Sequence, residues 1–165
     1  MAGLDSLRCA SAAPASGVRR KMGTTTELRK EIKKTFIPYV EAKGFISSME
    51  NAPNFFDFKK IIENEEWFFD IQFEKYGTPR FVVNFGKAQI KNNKRTITTG
   101  HCRLQPGKTA STGSWFRQDK HWIIKLLSSK KLHQPEVVVE QLISLFPEIE
   151  QYFQDGTIGE HLRVF

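Results

Sequence analysis

The spacing of apolar residues changes along the chain from about four to two. After Thr24 they recur at helical spacing: Leu28, Ile32, Phe36, Tyr39 and Val40. This pattern predicts a helix that Gly44 ends, because glycine readily adopts the left-handed conformation found at helix C-termini. Pro38 lacks the amide hydrogen that an interior helical position needs, so a kink or break is expected near it.

Downstream of Phe45, apolar and polar residues alternate, which is typical of half-buried antiparallel strands. The alternation predicts strands over residues 54–62, 66–76, 80–88 and 96–104, with turn signals at Gly77-Thr78-Pro79 and Asn92-Asn93. In the second of these strands the core face would carry Trp67, Phe69, Ile71 and Phe73. Residues 114–117 and 121–127 could form further strands, although the second segment fits a helix equally well.

The last part of the chain again has helical spacing. Pro135 opens a helix at a position that proline tolerates, and its apolar stripe is Val138, Leu142, Leu145 and Phe146. Pro147 is expected to start another short helix, which Gly156 closes. The element order predicts an α+β fold: an N-terminal helix, an antiparallel meander of four to six strands, and C-terminal helices packed on one face of the sheet.

The chain has 165 residues, 39% of them hydrophobic, with 14 phenylalanines that need a buried core. Residues 1–21 are rich in Ala, Ser and Gly and lack apolar periodicity, so they are expected to be a disordered leader or extension. Residues 22–165 are expected to form a single α+β domain. No apolar run approaches the roughly 18 residues of a membrane-spanning helix, and the two cysteines suit a reducing cytoplasm.

Charge is distributed unevenly along the chain. Between Lys75 and Gln118 there is no acidic residue but there are nine basic ones, whereas the flanking segments 22–74 and 136–165 are acidic on balance. Such asymmetry indicates either an acidic partner or internal pairing between segments. The candidate residues for binding an anion or a nucleic acid are Lys87, Lys91, Lys94, Arg95, Arg103, Lys108 and Arg117.

Aromatic residues near this basic stretch have two interpretations. Trp115 and Trp122 could stack on the bases of a nucleic acid if they are exposed. Aromatic residues at alternating strand positions more often belong to the core, with the basic residues forming a solvated sheet face that carboxylates from both chain ends partly neutralise.

Catalytic and metal-binding motifs are incomplete in this sequence. The four histidines make no familiar metal spacing, and Gly107-Lys108-Thr109 resembles the end of a phosphate-binding loop whose first glycine is replaced by Cys102. No cofactor is expected. An enzyme with a site near Arg117, Asp119 and His121 remains an alternative.

Four short strings along the chain form a recognisable series: Phe36-Ile37-Pro38-Tyr39 through Gly44-Phe45, Phe81 to Gly86, Ser114 to Arg117, and Leu145-Phe146-Pro147. This series resembles a family of small, mainly bacterial proteins that is known only as a domain of unknown function. The resemblance covers about residues 24–155. It implies a small cytoplasmic α+β domain and carries no established activity.

Taken together, the sequence predicts a cytoplasmic, non-enzymatic binding module with a cationic surface for an acidic partner, either a nucleic acid or an acidic protein. A small protein-interaction or toxin-neutralising protein is the second hypothesis, and the enzyme is the third.

Overall fold

A computed structural model of the chain describes residues 24–48, 54–100, 102–108, 113–118 and 133–165. The N-terminal helical segment consists of α1 (Thr24–Glu31), a π-helical turn (Ile32–Phe36) and α2 (Ile37–Glu41). The amide of Ile37 donates a hydrogen bond to the carbonyl of Ile32, five residues earlier. This wider turn directly precedes Pro38, which could not supply a regular helical hydrogen bond. The expected irregularity near Pro38 is therefore confirmed.

Eight strands among the described residues form one antiparallel sheet. They are β1 (Ile46–Ser48), β2 (Phe55–Ile62), β3 (Glu65–Phe73), β4 (Arg80–Lys91), β5 (Lys94–Ile97), β6 (Cys102–Leu104), β7 (Phe116–Arg117) and β8 (Leu162–Val164). The continuous order is β1-β2-β3-β4-β6-β8, and β5 and β7 also pair with β4. The long central strand β4 thus has three partners along one of its edges.

The α+β class and the antiparallel sheet are confirmed, but the sheet has more strands than the four to six expected. The predicted strand at 96–104 is two strands, because the chain leaves the ladder after Ile97 and returns at Cys102. The other additions, β1 and β8, have three residues each. An alternating pattern cannot be recognised over so short a segment.

The C-terminal helix α3 (Pro135–Asp155) corrects another prediction, because it continues through Pro147 instead of restarting there. An interior proline costs about 3 kcal/mol. Buried apolar residues lie on both sides of it: Leu142, Phe146, Ile149 and Phe153. Each contributes about 1.5–3 kcal/mol on burial, which together exceeds the cost of the proline. Gly156 ends the helix in the left-handed conformation, with φ of 81°, as predicted.

One hydrophobic core lies between the helices and one face of the sheet. The helices contribute residues such as Leu28, Phe36 and Phe146, and the strands contribute alternate residues such as Phe69 and Phe85. No described helix packs on the opposite face of the sheet. We call that face the open face; it carries the residues between the core positions, including Asp57, Asp70, Asn84 and Arg103.

Some predictions concern residues outside the described ranges. These are the leader at residues 1–21, the segment 121–127, and Asp119, His121 and Trp122. Within the described part of the chain, no helix has the length and apolar character needed to cross a membrane.

Candidate functional site

The seven predicted anion-binding residues do not gather on one surface. Successive residues of a strand point to opposite faces, and Lys87 and Lys91 share the helix-covered side with the core residue Phe85. Lys94 is directly opposite Lys91 in the β4–β5 register and shares its side. Arg95, Arg103 and Arg117 lie on the open face. In each case the preceding residue of the same strand points to the helix-covered side; these residues are Lys94, Cys102 and Phe116. The contiguous basic sequence is therefore divided between two faces.

Three of the seven basic residues are already paired with carboxylates. Lys87 Nζ lies 3.7 Å from Glu65 Oε2, and Arg95 Nε lies 2.7 Å from Glu66 Oε1. Lys108 forms an ion pair with Glu160, which raises the pKa of Lys108 and lowers that of Glu160. These pairs use acids from the segments on both sides of the basic stretch. The interpretation of internal neutralisation is thus confirmed for part of the set.

The remaining four basic residues differ in their surroundings. Lys91, Lys94 and Arg117 are exposed, and no described carboxylate lies within 4.0 Å of their charged groups. Arg103 is half-buried and donates from Nε to Asn84 Oδ1 at 2.8 Å. Among the described residues, Arg103 and Arg117 are therefore the open-face members of the predicted set that are not ion-paired.

Of the residues predicted to stack on bases or to form an enzyme site, Trp115 and Arg117 lie within the described part of the chain. Trp115 is half-buried, and the guanidinium carbon of Arg80 lies 4.6 Å from its ring centroid, so one face of the ring is already occupied. Trp122, Asp119 and His121 lie outside the described residues, which leaves Arg117 as the one described member of the suggested enzyme site. Within the described ranges, no group of three or more His, Cys, Asp or Glu residues could hold a metal ion.

A row of polar residues crosses the open face at right angles to the strands. The strand registers place its members directly opposite one another on β2, β3, β4, β6 and β8, in the order Asp57, Asp70, Asn84, Arg103 and Arg163. We call this set the polar row. It has two carboxylates at one end and two guanidinium groups at the other, so its charge changes sign across the sheet.

Asn84 links the two ends of the polar row. Its side-chain nitrogen donates to Asp70 Oδ2 at 2.8 Å, and its oxygen accepts from Arg103 Nε at 2.8 Å. Burial raises the pKa of the Asp70 carboxyl above its ordinary value; the hydrogen bond from Asn84 opposes this rise and the charge of Asp57 adds to it. The network fixes the orientation of the central side chains.

Concave spaces adjoin the polar row on both sides. One, of about 360 Å³, is lined by Asp57, Asp70, Asn84 and Arg103, together with the rings of Phe55 and Phe165. A second, of about 250 Å³, lies toward Phe68 and Arg95, and a third, of about 280 Å³, lies toward Ile97 and Thr99. Asp70 lines all three spaces, so it is at the centre of the concave part of the open face.

Aromatic rings accompany the arginines on this face. The guanidinium carbon of Arg95 lies 4.6 Å from the ring centroid of Phe68. Phe165 is 60% exposed, and the guanidinium carbons of Arg103 and Arg163 lie 5.5 and 4.9 Å from its ring centroid. Guanidinium groups therefore lie close to aromatic rings at two places on this face, where cation–π attraction stabilises them.

The position of β8, and with it Arg163 and Phe165, depends on Glu148 of α3. Glu148 accepts a hydrogen bond from the His161 amide at 2.9 Å and contacts His161 Nδ1 at 2.5 Å. We expect Glu148→Ala to lower the free energy of unfolding by about 1 kcal/mol, because the amide loses its acceptor. Urea denaturation measures the change. Glu148→Gln keeps an oxygen acceptor and should lose less; equal stability of both variants and the wild type would contradict the role of this contact.

Sequence reasoning identified Arg103 and Arg95 but missed most of the polar row. Asp57, Asp70 and Asn84 were visible as polar residues between apolar ones, yet nothing in the sequence alone placed them opposite one another. Comparisons of the chain with protein-family models, with curated proteins and with solved structures found no match. The resemblance to a family of unknown function accordingly stays a prediction.

Proposed function

We propose that the protein is a non-enzymatic binding module that holds an acidic partner, single-stranded nucleic acid, on the open face of its sheet. The observation that carries the proposal is the position of Arg103 and Arg163. They lie directly opposite each other in the β6–β8 register, and the guanidinium carbon of each lies within 5.5 Å of the centroid of the exposed Phe165 ring. No described carboxylate lies within 4.0 Å of either guanidinium group. Paired arginines of this kind suit the phosphates of a nucleic-acid backbone.

The arrangement favours a nucleic acid over an acidic protein because rings and polar side chains accompany the arginines. Single-stranded nucleic acids bind sheet surfaces by stacking bases on aromatic rings, while basic groups follow the backbone. Phe55 and Phe165 offer rings on the open face. Carboxylate side chains of a protein partner would use the arginines alone and leave these rings without a planar ligand.

One further arginine, Arg117, extends the proposed backbone track along β4. Arg117 pairs in register with Arg80, and Arg103 pairs with Asn84, four residues further along the strand. At about 3.3 Å per residue the two positions are roughly 13 Å apart.

In this proposal the protein works in the cytoplasm, a reducing compartment in which the buried free thiol of Cys102 would persist.

Removal of the two paired arginines tests the proposal. We expect Arg103→Ala/Arg163→Ala to weaken binding of a labelled single-stranded oligonucleotide. Each lost phosphate contact should also reduce the slope of log affinity against log salt by about 0.7, or about 1.4 for the pair. Fluorescence anisotropy over a salt series measures both quantities.

The matched control removes two positive charges from the opposite side of the sheet. Lys91→Ala/Lys94→Ala lowers the net charge equally but leaves the open face intact, so affinity should fall much less. Equal losses in the two double variants would mean that net charge, not the open face, determines binding. Absence of oligonucleotide binding even at low salt, together with stoichiometric retention of an acidic protein, would replace the nucleic-acid proposal by the protein one.

A further inference from the structure

We infer that the groove along the polar row binds a guanine nucleotide unit of the strand, with its phosphate at Arg103 and Arg163 and its base edge at Asp57 and Asp70. This inference rests on the proposed function and names the base that the open face prefers. It follows from the opposite charges at the two ends of one groove, of about 360 Å³, that holds both carboxylates and Arg103.

The end of the groove that holds Asp57 and Asp70 excludes anionic groups of a ligand. Ionised Asp57 and Asp70 have only hydrogen-bond acceptors, and they lie directly opposite each other on neighbouring strands. A phosphate at this end would be repelled by both carboxylates. The anionic part of a ligand is therefore confined to the arginine end, and the other part of the ligand must offer hydrogen-bond donors.

Guanine is the base that meets this requirement. Its Watson–Crick edge presents two adjacent donors, the ring N1–H and the exocyclic N2 amine, which match the two oxygens of a carboxylate. Adenine and cytosine present a donor beside an acceptor, and uracil and thymine present a donor between two acceptors. An acceptor that faces a carboxylate remains unpaired, so these bases are disfavoured at Asp70.

The spacing of the row is compatible with one nucleotide. Asp70 and Arg103 are two strands apart, with β4 between them, so their backbones are about 10 Å apart. A nucleotide carries its base edge and its phosphate at opposite ends and can bridge this distance. Asn84 holds Asp70 and Arg103 in place from the middle, and the rings of Phe55 and Phe165 line the same groove.

The test compares labelled single-stranded probes of about ten nucleotides, the size range of such sites. One is all thymidine, one has isolated guanines, and one has inosine, which lacks the N2 amine, at the guanine positions. We expect the wild type to bind the guanine probe about tenfold more tightly than the thymidine probe, since bidentate recognition discriminates by this order. The inosine probe should be intermediate.

Asp70→Asn should remove the guanine preference, because asparagine still accepts from Asn84 but presents a donor to the donors of guanine. Thymidine binding should not fall, since the change removes a negative charge from the binding face. Glu140→Gln, an exposed charge on α3, is the matched control and should keep the preference. If Asp70→Asn fails to fold, Asp57→Asn at an exposed position should reduce the preference instead. Tight but equal binding of all probes would overturn this inference alone, whereas no binding of any probe at low salt would overturn the proposed function.

Discussion

Phe69→Ala is expected to lower the free energy of unfolding by about 3–5 kcal/mol. The Phe69 ring is 1% exposed and lies where β2, β3 and both helical segments meet. It stacks on Phe58 with ring centroids 4.5 Å apart. It also makes edge-to-face contacts with Phe45 and Phe146, and the centroid of each of these rings lies 5.2 Å from its own. Truncation to alanine removes all of these contacts and leaves a cavity that rigid neighbouring rings cannot fill.

Denaturant unfolding followed by tryptophan fluorescence or circular dichroism measures this loss. Tyr76→Ala is the matched control, because it also removes an aromatic ring but from a side chain that is 91% exposed. That variant should stay within about 0.5 kcal/mol of the wild type. A similar denaturation midpoint for Phe69→Ala and the wild type would show that the phenylalanine cluster is not the main stabilising core.

The core strands could be predicted from the sequence because each follows its own alternation over many residues. Phe69, Ile71 and Phe73 are buried as the pattern predicts, and Trp67, half-buried, packs against the same core. This information is local, since the face of each residue follows from its neighbours in the same strand. The strands β1 and β8, with three residues each, carry too few residues for such a pattern, and their pairing depends on contacts made by distant parts of the chain.

The candidate site could be predicted only in part, because it depends on the register between strands. The sequence identified Arg103 as a candidate binding residue, but its neighbours Asn84 and Arg163 follow from pairings of β6 with β4 and β8. The basic stretch was misleading for a related reason. Basic residues that are close in the sequence do not form one surface patch when alternate residues of their strands point to opposite faces. Lys87 and Arg103 are separated in this way.

Gly86→Ala is the second change with a large expected effect, a loss of about 1–3 kcal/mol in the free energy of unfolding. Gly86 lies on the open face of β4, opposite Phe68 in the register. A Cβ atom at Gly86 would lie 2.8 Å from Phe68 Cζ and 3.0 Å from Thr99 Oγ1. Neither neighbour can move freely, because Arg95 stacks on Phe68 and Thr99 Oγ1 accepts a hydrogen bond from the Lys87 amide at 2.8 Å.

A double-mutant cycle with Phe68→Ala separates this steric effect from a general loss of strand stability. If the ring of Phe68 causes the cost, Gly86→Ala should destabilise the Phe68→Ala background much less than the wild type, with a coupling energy of about 0.5–3 kcal/mol. Additive effects in denaturant unfolding would contradict the close packing of this ring on the glycine.

Because Gly86 leaves room for the Phe68 ring beside the polar row, Gly86→Ala should also weaken oligonucleotide binding in the folded protein. The glycine would then link the packing of the sheet to the shape of its binding face.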